Sequence, residues 1–412
     1  MTLRCRPYYK LSKRSIHEHI RARAAGSGPW TVPALLAYYG LAKGSLPGGG
    51  VIGILELGGG WVASDLTTYF ASIGQPVPTI TDVSVDGTTN AGAAGGDANM
   101  EVALDIQVAA AVYQYLTGKP AVIRMYWAQD IGTAAVASSK DGCAVCSCSW
   151  GDDEPAWGTG VLDAMQAALV TCTEAGTTFF AASGDNDGDD NDGTGKPSVD
   201  APASCSNAVA CGGTSTPQSG ASVIWNNNPG SASGEGTGGG YSATFPFESF
   251  CTGPKGPGRM VSDVAANADP DTGFEIVVGG QSQVVGGTSA VAPFWAGIFA
   301  ALGAKGQGFV NEKLWGAKAD FIAVTSGDNG SYPATVCCGL GVPTQALLTA
   351  LAGAAPAPPS PPPPSGLLSA AQVTGVQTAV AAVIDPQDAL IEKVVVEPQL
   401  QAAITALGPV PS

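Results

Sequence analysis

Histidine and positive charge are both scarce in this sequence. Its 412 residues include only two His, and 18 Lys and Arg stand against 34 Asp and Glu, for a formal net charge of −16. Binding to a phosphate backbone depends on clustered Lys and Arg, so the composition excludes a nucleic-acid partner. No apolar run reaches the roughly 18 residues of a membrane span, so the sequence predicts no membrane partner either.

The few positive charges are unevenly placed. Residues 1–29 hold seven Lys or Arg and one Glu, so this segment is net +6 and the rest of the chain is net −22. Both histidines, His17 and His19, lie in the same segment. Two interpretations stay open: a solvated basic tail, or the remnant of a pro-segment lying against an acidic domain. The start, MTLRCRPYYK, lacks the apolar stretch of a secretory signal, so this chain is predicted to carry no signal peptide.

The far end of the chain is separable by composition. Residues 354–366 (AAPAPPSPPPPSG) predict a semi-rigid polyproline linker. Residues 367–412, rich in Ala, Val and Gln, form an extension of unknown role with helices expected near 367–382 and 397–406. The main domain is therefore expected to span residues 30–353.

Short apolar runs alternate with helical stretches in this main domain. Runs without polar alternation are typical of strands buried on both faces of a sheet; they lie at 51–57, 121–127, 143–149 and 177–182. Helical stretches at 97–117 and about 158–175 separate them. The pattern predicts an α/β fold whose parallel central sheet is flanked by helices. Ligands bind at the carboxyl ends of such strands, which makes Glu56, Trp150 and Asp185 candidates.

Ser289 lies in the sequence GGTSAVAP, where a strand near 283–285 meets a glycine turn and then a helix. Pro293 would fall in the first turn of that helix, a position that Pro favours. A Ser at such a turn is accessible, and the helix N-terminus favours negative charge formed beside it. Ser289 is thus a candidate nucleophile; the simpler alternative is a helix-capping Ser.

Glu101 and Asp105 are spaced four residues apart on the helix predicted at 97–117, so they share one face. That face continues as Val108 and Val112, whereas glutamines 107 and 114 would mark the solvent side. Two neighbouring acids on an apolar face favour a shared proton. The alternative is an ordinary acidic helix face.

Asp185 follows a predicted buried strand in the sequence Ser-Gly-Asp. Its carboxyl group could bind a cation or, if protonated, donate a hydrogen bond to an oxyanion. The next residues, 186–192 (NDGDDND), are expected to form a solvated acidic loop, without the Glu of a calcium-binding EF-hand. Glu56, which precedes three glycines, could equally be a strand-end carboxylate with structural hydrogen bonds.

Ten cysteines offer little chemistry. Cys143 and Cys146 have the spacing of half a zinc site, but they lie in a predicted buried strand and no His follows them, so no metal is assigned. A disulfide between Cys205 and Cys211 is one conceivable pairing.

The missing histidine decides the chemistry expected of Ser289. A Ser hydroxyl needs a base to take its proton, and no His is available in residues 30–412 for a Ser/His/Asp triad. The base is then a carboxylate, which works best in acid. Glu101, Asp105 and Asp185 fit such a scheme.

Many ordered motifs resemble the sedolisin family of serine-carboxyl peptidases, especially its kumamolisin branch. The resemblance covers about residues 30–351, and its motifs are 54–61 (ILELGGGW), 101–107 (EVALDIQ), 148–151 (CSWG), 183–185 (SGD), 210–214 (ACGGT), 237–242 (TGGGYS), 263–274 (DVAANADPDTGF), 286–293 (GGTSAVAP) and 338–343 (CGLGVP). It implies a subtilisin-like fold and peptide-bond hydrolysis through an acyl-enzyme at acidic pH.

The resemblance also implies the role of each site residue. Ser289 is the nucleophile, Glu101 its general base, Asp105 the partner that shares the proton, and Asp185 the acid of the oxyanion hole. Residues Glu56 and Trp150 extend the hydrogen-bond network. The partners implied are protein and peptide substrates, the chain is expected to be a monomer, and the location implied is extracellular or an acidic lysosome- or vacuole-like compartment.

The chain departs from the family where the family binds Ca²⁺. An Asp-Ile pair is expected after a Phe, but Phe321-Ile322 is followed by Ala-Val, and 331–335 (SYPAT) replaces a Gly-x-Gly-x-Asp stretch. The resemblance thus implies Ca²⁺, but the ligand motif is degraded here, so another means is expected to hold the segment. The family's large pro-domain is also not recognisable, apart from residues 1–29 at most. These departures keep open a catalytically inactive homologue with a binding or structural role, and an esterase using the same Ser is a third possibility.

Overall fold

The computed structural model describes residues 5–13, 28–191 and 194–353. Contacts divide the chain into two compact units, Met1–Pro356 and Ala357–Ser412, and every described residue belongs to the first. Several sequence predictions fall outside the described residues: the two histidines, the proline-rich linker and the two helices expected beyond it.

The strands and helices alternate along the main domain as the apolar runs predict. In chain order, the strands are β1 (Arg6–Pro7), β2 (Lys10–Leu11), β3 (Ile52–Glu56), β4 (Thr79–Ser84), β5 (Val122–Trp127), β6 (Val145–Cys148), β7 (Trp150–Asp153), β8 (Thr178–Ala182), β9 (Asp200–Ala201), β10 (Ala208–Ser215), β11 (Val223–Ile224), β12 (Gly240–Tyr241), β13 (Met260–Val261), β14 (Val264–Asn267), β15 (Phe274–Val278) and β16 (Gln281–Gly286). The helices are α1 (Val32–Tyr38), α2 (Ala63–Ser72), α3 (Ala98–Thr117), α4 (Ile131–Lys140), α5 (Glu154–Trp157), α6 (Thr159–Glu174), α7 (Val291–Leu302), α8 (Asn311–Gly316), α9 (Ala334–Cys337) and α10 (Gln345–Gly353). Short 3₁₀ turns lie at Gly92–Gly95, Thr288–Ala290 and Lys318–Asp320.

An eight-stranded sheet forms the centre of the domain. Its order is β11-β10-β8-β6-β3-β5-β4, and β14 pairs with β10 beside this path. All pairs are parallel except β11 with β10, which is antiparallel. Every residue of β3 is buried, because helices cover both faces of the sheet. The predicted fold class is confirmed: an α/β fold with a mostly parallel central sheet flanked by helices.

Helix α3 lies in the interior rather than on the surface. Buried residues are found all around it, because it packs against α7 on one side and against α1, α2 and β15 on others. Residues Gln107 and Gln114, expected on a solvent face, are buried. The Gln107 amide pairs with the backbone of Val277, donating to its carbonyl at 2.7 Å and accepting from its N–H at 2.9 Å. That expectation was wrong because β15 covers the side on which Gln107 lies.

Two further expectations are corrected by the structure. The segment beginning at Asn186 is not a solvated loop, since Asp187, Asp189 and Asp190 are all buried. Residues Cys205 and Cys211 are both free thiols rather than a disulfide: the first lies in the turn before β10 and the second within the strand itself. None of the described helices is long and apolar enough to cross a bilayer.

Candidate active site

The first part of the site is an acidic pair on the interior helix α3. Glu101 and Asp105 are four residues apart on α3, so they lie on adjacent turns of one helix face. Both side chains are fully buried. Burial and the neighbouring Asp105 charge raise the pKa of Glu101 well above its usual value, and burial raises that of Asp105. Neither oxygen of Glu101 has a hydrogen-bond partner among the described residues. The pair therefore favours holding a proton between its two carboxyl groups.

Ser149 connects this pair to Ser289. Its hydroxyl donates to Asp105 Oδ1 at 2.9 Å, and it also lies 3.2 Å from the backbone oxygen of Ser289. The Ser289 hydroxyl in turn donates to the backbone oxygen of Ser149 at 3.4 Å. Ser289 lies in the 3₁₀ turn between β16 and α7, with Pro293 in the first turn of α7, as the sequence predicts. The expectation that this Ser is accessible is wrong: Ser289 is fully buried, and the Tyr8 carbonyl of the chain's own N-terminal segment accepts from its backbone N–H. The hydroxyl of Ser289 also opposes the rise in the pKa of Glu101, so the two side chains are close.

Glu56 and Trp150 form a second hydrogen-bonded pair beside the acids. Glu56 is the last residue of β3, and its Oε2 accepts from the indole N–H of Trp150 at 2.9 Å. Burial, and then the charge of Asp105, raises the pKa of Glu56 well above its usual value. The charge of Glu56 likewise contributes to the raised pKa of Glu101, so Glu56, Asp105 and Glu101 form one electrostatically linked group.

Asp185 lies just beyond β8 and contacts Thr288, the residue before Ser289. Its Oδ1 accepts from the backbone N–H of Thr288 at 2.7 Å and from the Thr288 hydroxyl at 2.8 Å. The second oxygen, Oδ2, is buried and has no hydrogen-bond partner among the described residues. Burial raises the pKa of Asp185 to about 6, against the lowering effect of Lys10 and of the Thr288 hydrogen bonds. Below that pH, Asp185 carries a proton that it can donate.

A peptide already crosses this site: the chain's own residues 5–13. Strand β1 pairs antiparallel with β7, and β2 pairs antiparallel with β16, so the segment extends two edge strands on either side of Ser289. Between them, the N–H of Tyr8 donates to the backbone oxygen of Ser149 at 3.0 Å. Tyr8 is 1% exposed. For these residues the interpretation as a solvated basic tail is wrong.

The carbonyl oxygen of Tyr8 lies against the turn that carries Ser289. It accepts from the backbone N–H of Ser289 at 2.9 Å. A side chain on Gly287 would collide with both this oxygen and the unpartnered Oδ2 of Asp185, so the two atoms approach the same point. Gly287 also has a φ of 105°, which L side chains rarely adopt. The glycine thus leaves room for a peptide carbonyl beside the Asp185 carboxyl group.

A separate acidic cluster lies further along the bound segment. The carboxylates of Asp152, Asp190 and Asp200 each offer an oxygen within 4.8 Å of the others. The guanidinium of Arg6 enters this cluster: it pairs closely with Asp190 and lies 3.4 Å from Asp152 and 3.8 Å from Asp200. The Tyr8 hydroxyl also donates to Asp200, at 2.8 Å.

Sequence reasoning placed the six predicted residues at this site, but it missed others. It did not single out Ser149, which nonetheless belongs to the quoted CSWG motif. It also missed Tyr8, Asp152 and Asp200. A short basic segment against an acidic domain was the one available signal for Tyr8. No sequence signal distinguishes Asp152 or Asp200 from the other acids of the chain.

The region where the family binds Ca²⁺ has other contacts here. The residues present do not fit the ion: Ile322 forms an isolated β-bridge with Val342, and Asp328 Oδ1 accepts from the backbone N–H of Gly330 at 2.9 Å. The segment is held instead by the fully buried Asn329. Its amide nitrogen donates to two backbone oxygens, those of Thr237 and Gly239, at 3.2 and 3.1 Å.

Comparison with known proteins agrees with this geometry. Residues 67–329 match the family described as the subtilase family, whose members are serine-type endopeptidases. Kumamolisin from Bacillus sp. (strain MN-32) is 35% identical over 85% of this chain and 70% of its own length. Sedolisin from Pseudomonas sp. (strain 101) is 35% identical over 35% of this chain and 27% of its own length.

The solved structures give the same fold. Pseudomonas sedolisin, a serine-carboxyl proteinase complexed with two molecules of pseudo-iodotyrostatin, superposes with a TM-score of 0.67 at 23% identity, over 79% of this chain and 98% of that one. The chain therefore belongs to the sedolisin family, near kumamolisin, within the subtilases. It is a serine-type endopeptidase, and its substrates are peptides or proteins.

Proposed function

We propose that the chain is an acid-acting serine-carboxyl endopeptidase that cleaves peptide bonds through an acyl-enzyme on Ser289. The observation that carries this proposal is the hydrogen bond from the Ser289 N–H to the Tyr8 carbonyl, 2.9 Å long, in a peptide that crosses the site as two added strands. The donor that the oxyanion would need is preformed there, and preformed donors are usually the largest contribution to such catalysis.

The base in this proposal is Glu101. In the present geometry the Ser289 hydroxyl donates to Ser149, so it must rotate toward Glu101 before attack. Glu101 then takes the hydroxyl proton as Ser289 Oγ bonds to the carbonyl carbon, and the same proton passes to the leaving amine. Asp105 supports Glu101 by sharing a proton, and Glu56 with Trp150 extends this network.

Asp185 supplies the second oxyanion donor. Its Oδ2 approaches the point where the carbonyl oxygen lies, and in its protonated form it donates to the oxygen as negative charge develops. Because the pKa of Asp185 is about 6, this donor is present below pH 6 and is lost as the pH rises through 6. The proposed enzyme therefore acts outside the neutral cytosol, in an extracellular or acidic compartment.

Two departures from the family keep an inactive homologue as the alternative: the altered calcium region and the pro-domain that is not recognisable in the sequence. We infer that no Ca²⁺ is needed there, because the buried Asn329 already ties the segment to the rest of the domain: its nitrogen donates to the backbone of Thr237 and Gly239, and its oxygen accepts from the Tyr332 N–H. Loss of the calcium residues thus gives no reason by itself to expect loss of activity. That the enzyme works as a monomer stays a prediction.

The test is cleavage of a denatured protein between pH 3 and 7, by wild type and by Ser289→Ala side by side. We expect activity confined to acid and a loss of about 10⁴-fold or more in the variant. Full activity in Ser289→Ala, or no activity of the wild type at any acidic pH, would contradict the proposal.

A further inference from the structure

Residues 184–188, the oxyanion loop that carries Asp185, are held in place by backbone hydrogen bonds to a residue far along the chain. The N–H of Gly236 donates to the Asp185 carbonyl oxygen at 3.2 Å, and the N–H of Asp187 donates to the Gly236 carbonyl oxygen at 3.0 Å. A change that separates this loop from Gly236 therefore also displaces the carboxyl group of Asp185.

The side chain of Asp187 is buried at this contact. It packs against Gly236, where an added Cβ would collide with Asp187 Oδ1. Asp187 is 1% exposed, and neither of its carboxyl oxygens has a hydrogen-bond partner among the described residues. Its φ is 61°, a left-handed conformation that Asp and Asn adopt more readily than most residues. Such a site suits a neutral carboxyl group far better than a carboxylate, because a buried charge without a partner is much more costly than a buried neutral group.

The charges that surround Asp187 also oppose its ionisation. The acids that face it are Asp189, Glu235 and Asp328. Burial, and then the charges of these acids, raises the pKa of Asp187 to about 7, against the lowering effect of Lys10 on β2. Cys337 on α9 also faces Asp187, and burial raises the pKa of its thiol well above the usual value, so it stays neutral.

The next acid along the chain, Asp189, shows what a buried carboxylate receives in the same region. Asp189 is 3% exposed, yet both of its oxygens accept hydrogen bonds. The backbone N–H of Asn191 donates to Oδ1 at 3.0 Å, and the hydroxyl of Ser233 donates to Oδ2. Asp187 differs from Asp189 in its hydrogen bonds rather than in its burial, so a negative charge on Asp187 is far less well compensated.

We propose that Asp187 is a positioning residue of the oxyanion loop: its neutral carboxyl group keeps the loop on Gly236, and its ionisation releases the loop and turns the enzyme off above neutral pH. When the carboxyl group loses its proton to solvent, the carboxylate repels Glu235 and Asp328 across the contact, and the hydrogen bonds to Gly236 break. In acid the proton returns and the loop closes again. The effect on activity rests on the proposed function, whereas the release of the loop does not.

Hydrogen exchange of the full-length Ser289→Ala protein tests the release, because this variant cannot digest itself. We expect residues 185–189 to exchange at least roughly tenfold faster at pH 8 in Ser289→Ala than in Ser289→Ala with Asp187→Asn, and equally at pH 5. Asn keeps the shape and tolerates the positive φ but cannot ionise. Asp187→Gly, which adopts this φ freely, should behave as Asp187→Asn does. Asp328→Asn is the matched control: it removes a neighbouring charge and leaves the Asp187 carboxyl group, so fast exchange at pH 8 should persist.

Peptide hydrolysis separates positioning of the catalytic loop from a merely structural role. We expect kcat of Asp187→Asn to match that of wild type at pH 4 and to exceed it about tenfold at pH 8, with KM unchanged, because only the wild type must keep a second proton. Equal kcat values at pH 8 would overturn the inference.

The two measurements also distinguish this inference from the proposed function. If wild type cleaves in acid but Asp187→Asn does not slow exchange at pH 8, the inference fails and the proposed function stands. If Asp187→Asn slows exchange but no acidic pH supports cleavage, the release of the loop is confirmed, while the proposed function and the effect on activity both fail.

Discussion

Two groups of carboxylates lie near the bound segment, and their neighbours differ. Glu56, Glu101 and Asp105 have no cation among their described partners, so burial and mutual repulsion raise their pKa values. In the second group, Asp190 faces the guanidinium of Arg6, whose charge opposes the effect of burial. Burial nevertheless raises the pKa of Asp190 to about 6 and that of Asp200 well above its usual value, so both groups favour protons in acid and, among the described residues, only the second has a cation beside it. The same residue type thus lies among other acids at one place and beside a guanidinium at another, and this difference in neighbours separates the two groups.

The largest loss of activity among the two groups of carboxylates is expected from substitution of Glu101. We expect Glu101→Gln to reduce kcat/KM about 10³-fold, since an amide cannot accept the proton of Ser289. Glu56→Gln keeps an oxygen for the Trp150 indole and should cost only about tenfold. The measurement is peptide hydrolysis at the acidic optimum, with Asp163→Asn on the exposed face of α6 as a control that should match wild type. Equal losses in the two variants would show that Glu101 has no special role.

Asp185 gives a sharper test, because its role depends on pH. Its folded-state pKa of about 6 means that the donor proton is present below pH 6 and lost above it. We expect activity to fall as pH rises through about 6. In Asp185→Asn the amide donates at every pH, so activity at pH 4 should drop about tenfold while the fall near pH 6 disappears. Persistence of that fall in the variant would assign it to another group.

The retained protons also predict how stability depends on pH. Burial raises the pKa of Asp185 and Asp190 to about 6 and of Asp187 and Glu248 to about 7. Because the folded state binds these protons more tightly than the unfolded chain, the stabilisation is complete below about pH 4 and is lost as pH rises to 6 or 7. Thermal unfolding of Ser289→Ala, which avoids self-digestion, should give a Tm lower at pH 7.5 than at pH 4 by roughly 5 °C or more. A Tm higher at pH 7.5 would contradict it.

The smallest effect is expected in the calcium region. A chelator should leave both activity and Tm unchanged, since the segment is held by protein groups. Asn329→Ala, in contrast, should lower the free energy of unfolding by about 1–3 kcal/mol, because four backbone partners of a buried amide lose their hydrogen bonds. Unfolding in denaturant, with and without the chelator, measures the free energy of unfolding of wild type and of Asn329→Ala. A large fall in Tm on chelation would show that an ion binds after all.

Helical phase alone was enough to pair Glu101 with Asp105 and to put both on an apolar face, and the strand ends indicated Glu56 and Asp185. The same reasoning failed for Gln107. A helix that packs on several sides has no solvent face, and nothing in its own sequence reports that β15 covers it. The prediction of a solvated loop after Asp185 was wrong for a related reason. The burial of this stretch depends on contacts with residues distant in the sequence, such as Arg6.

What the sequence by itself determined was the fold class, the elements that carry the site and the chemistry expected of a Ser without an available His. These follow from local periodicity and composition, which each segment carries within itself. Only the tertiary structure decided which carboxylates are buried, that Asn329 donates to the backbone of Thr237 and Gly239, and that residues 5–13 cross the site with the Tyr8 carbonyl accepting from the Ser289 N–H. Each of these depends on contacts between segments that are far apart in the chain, and such contacts determine which groups are buried and how their pKa values shift.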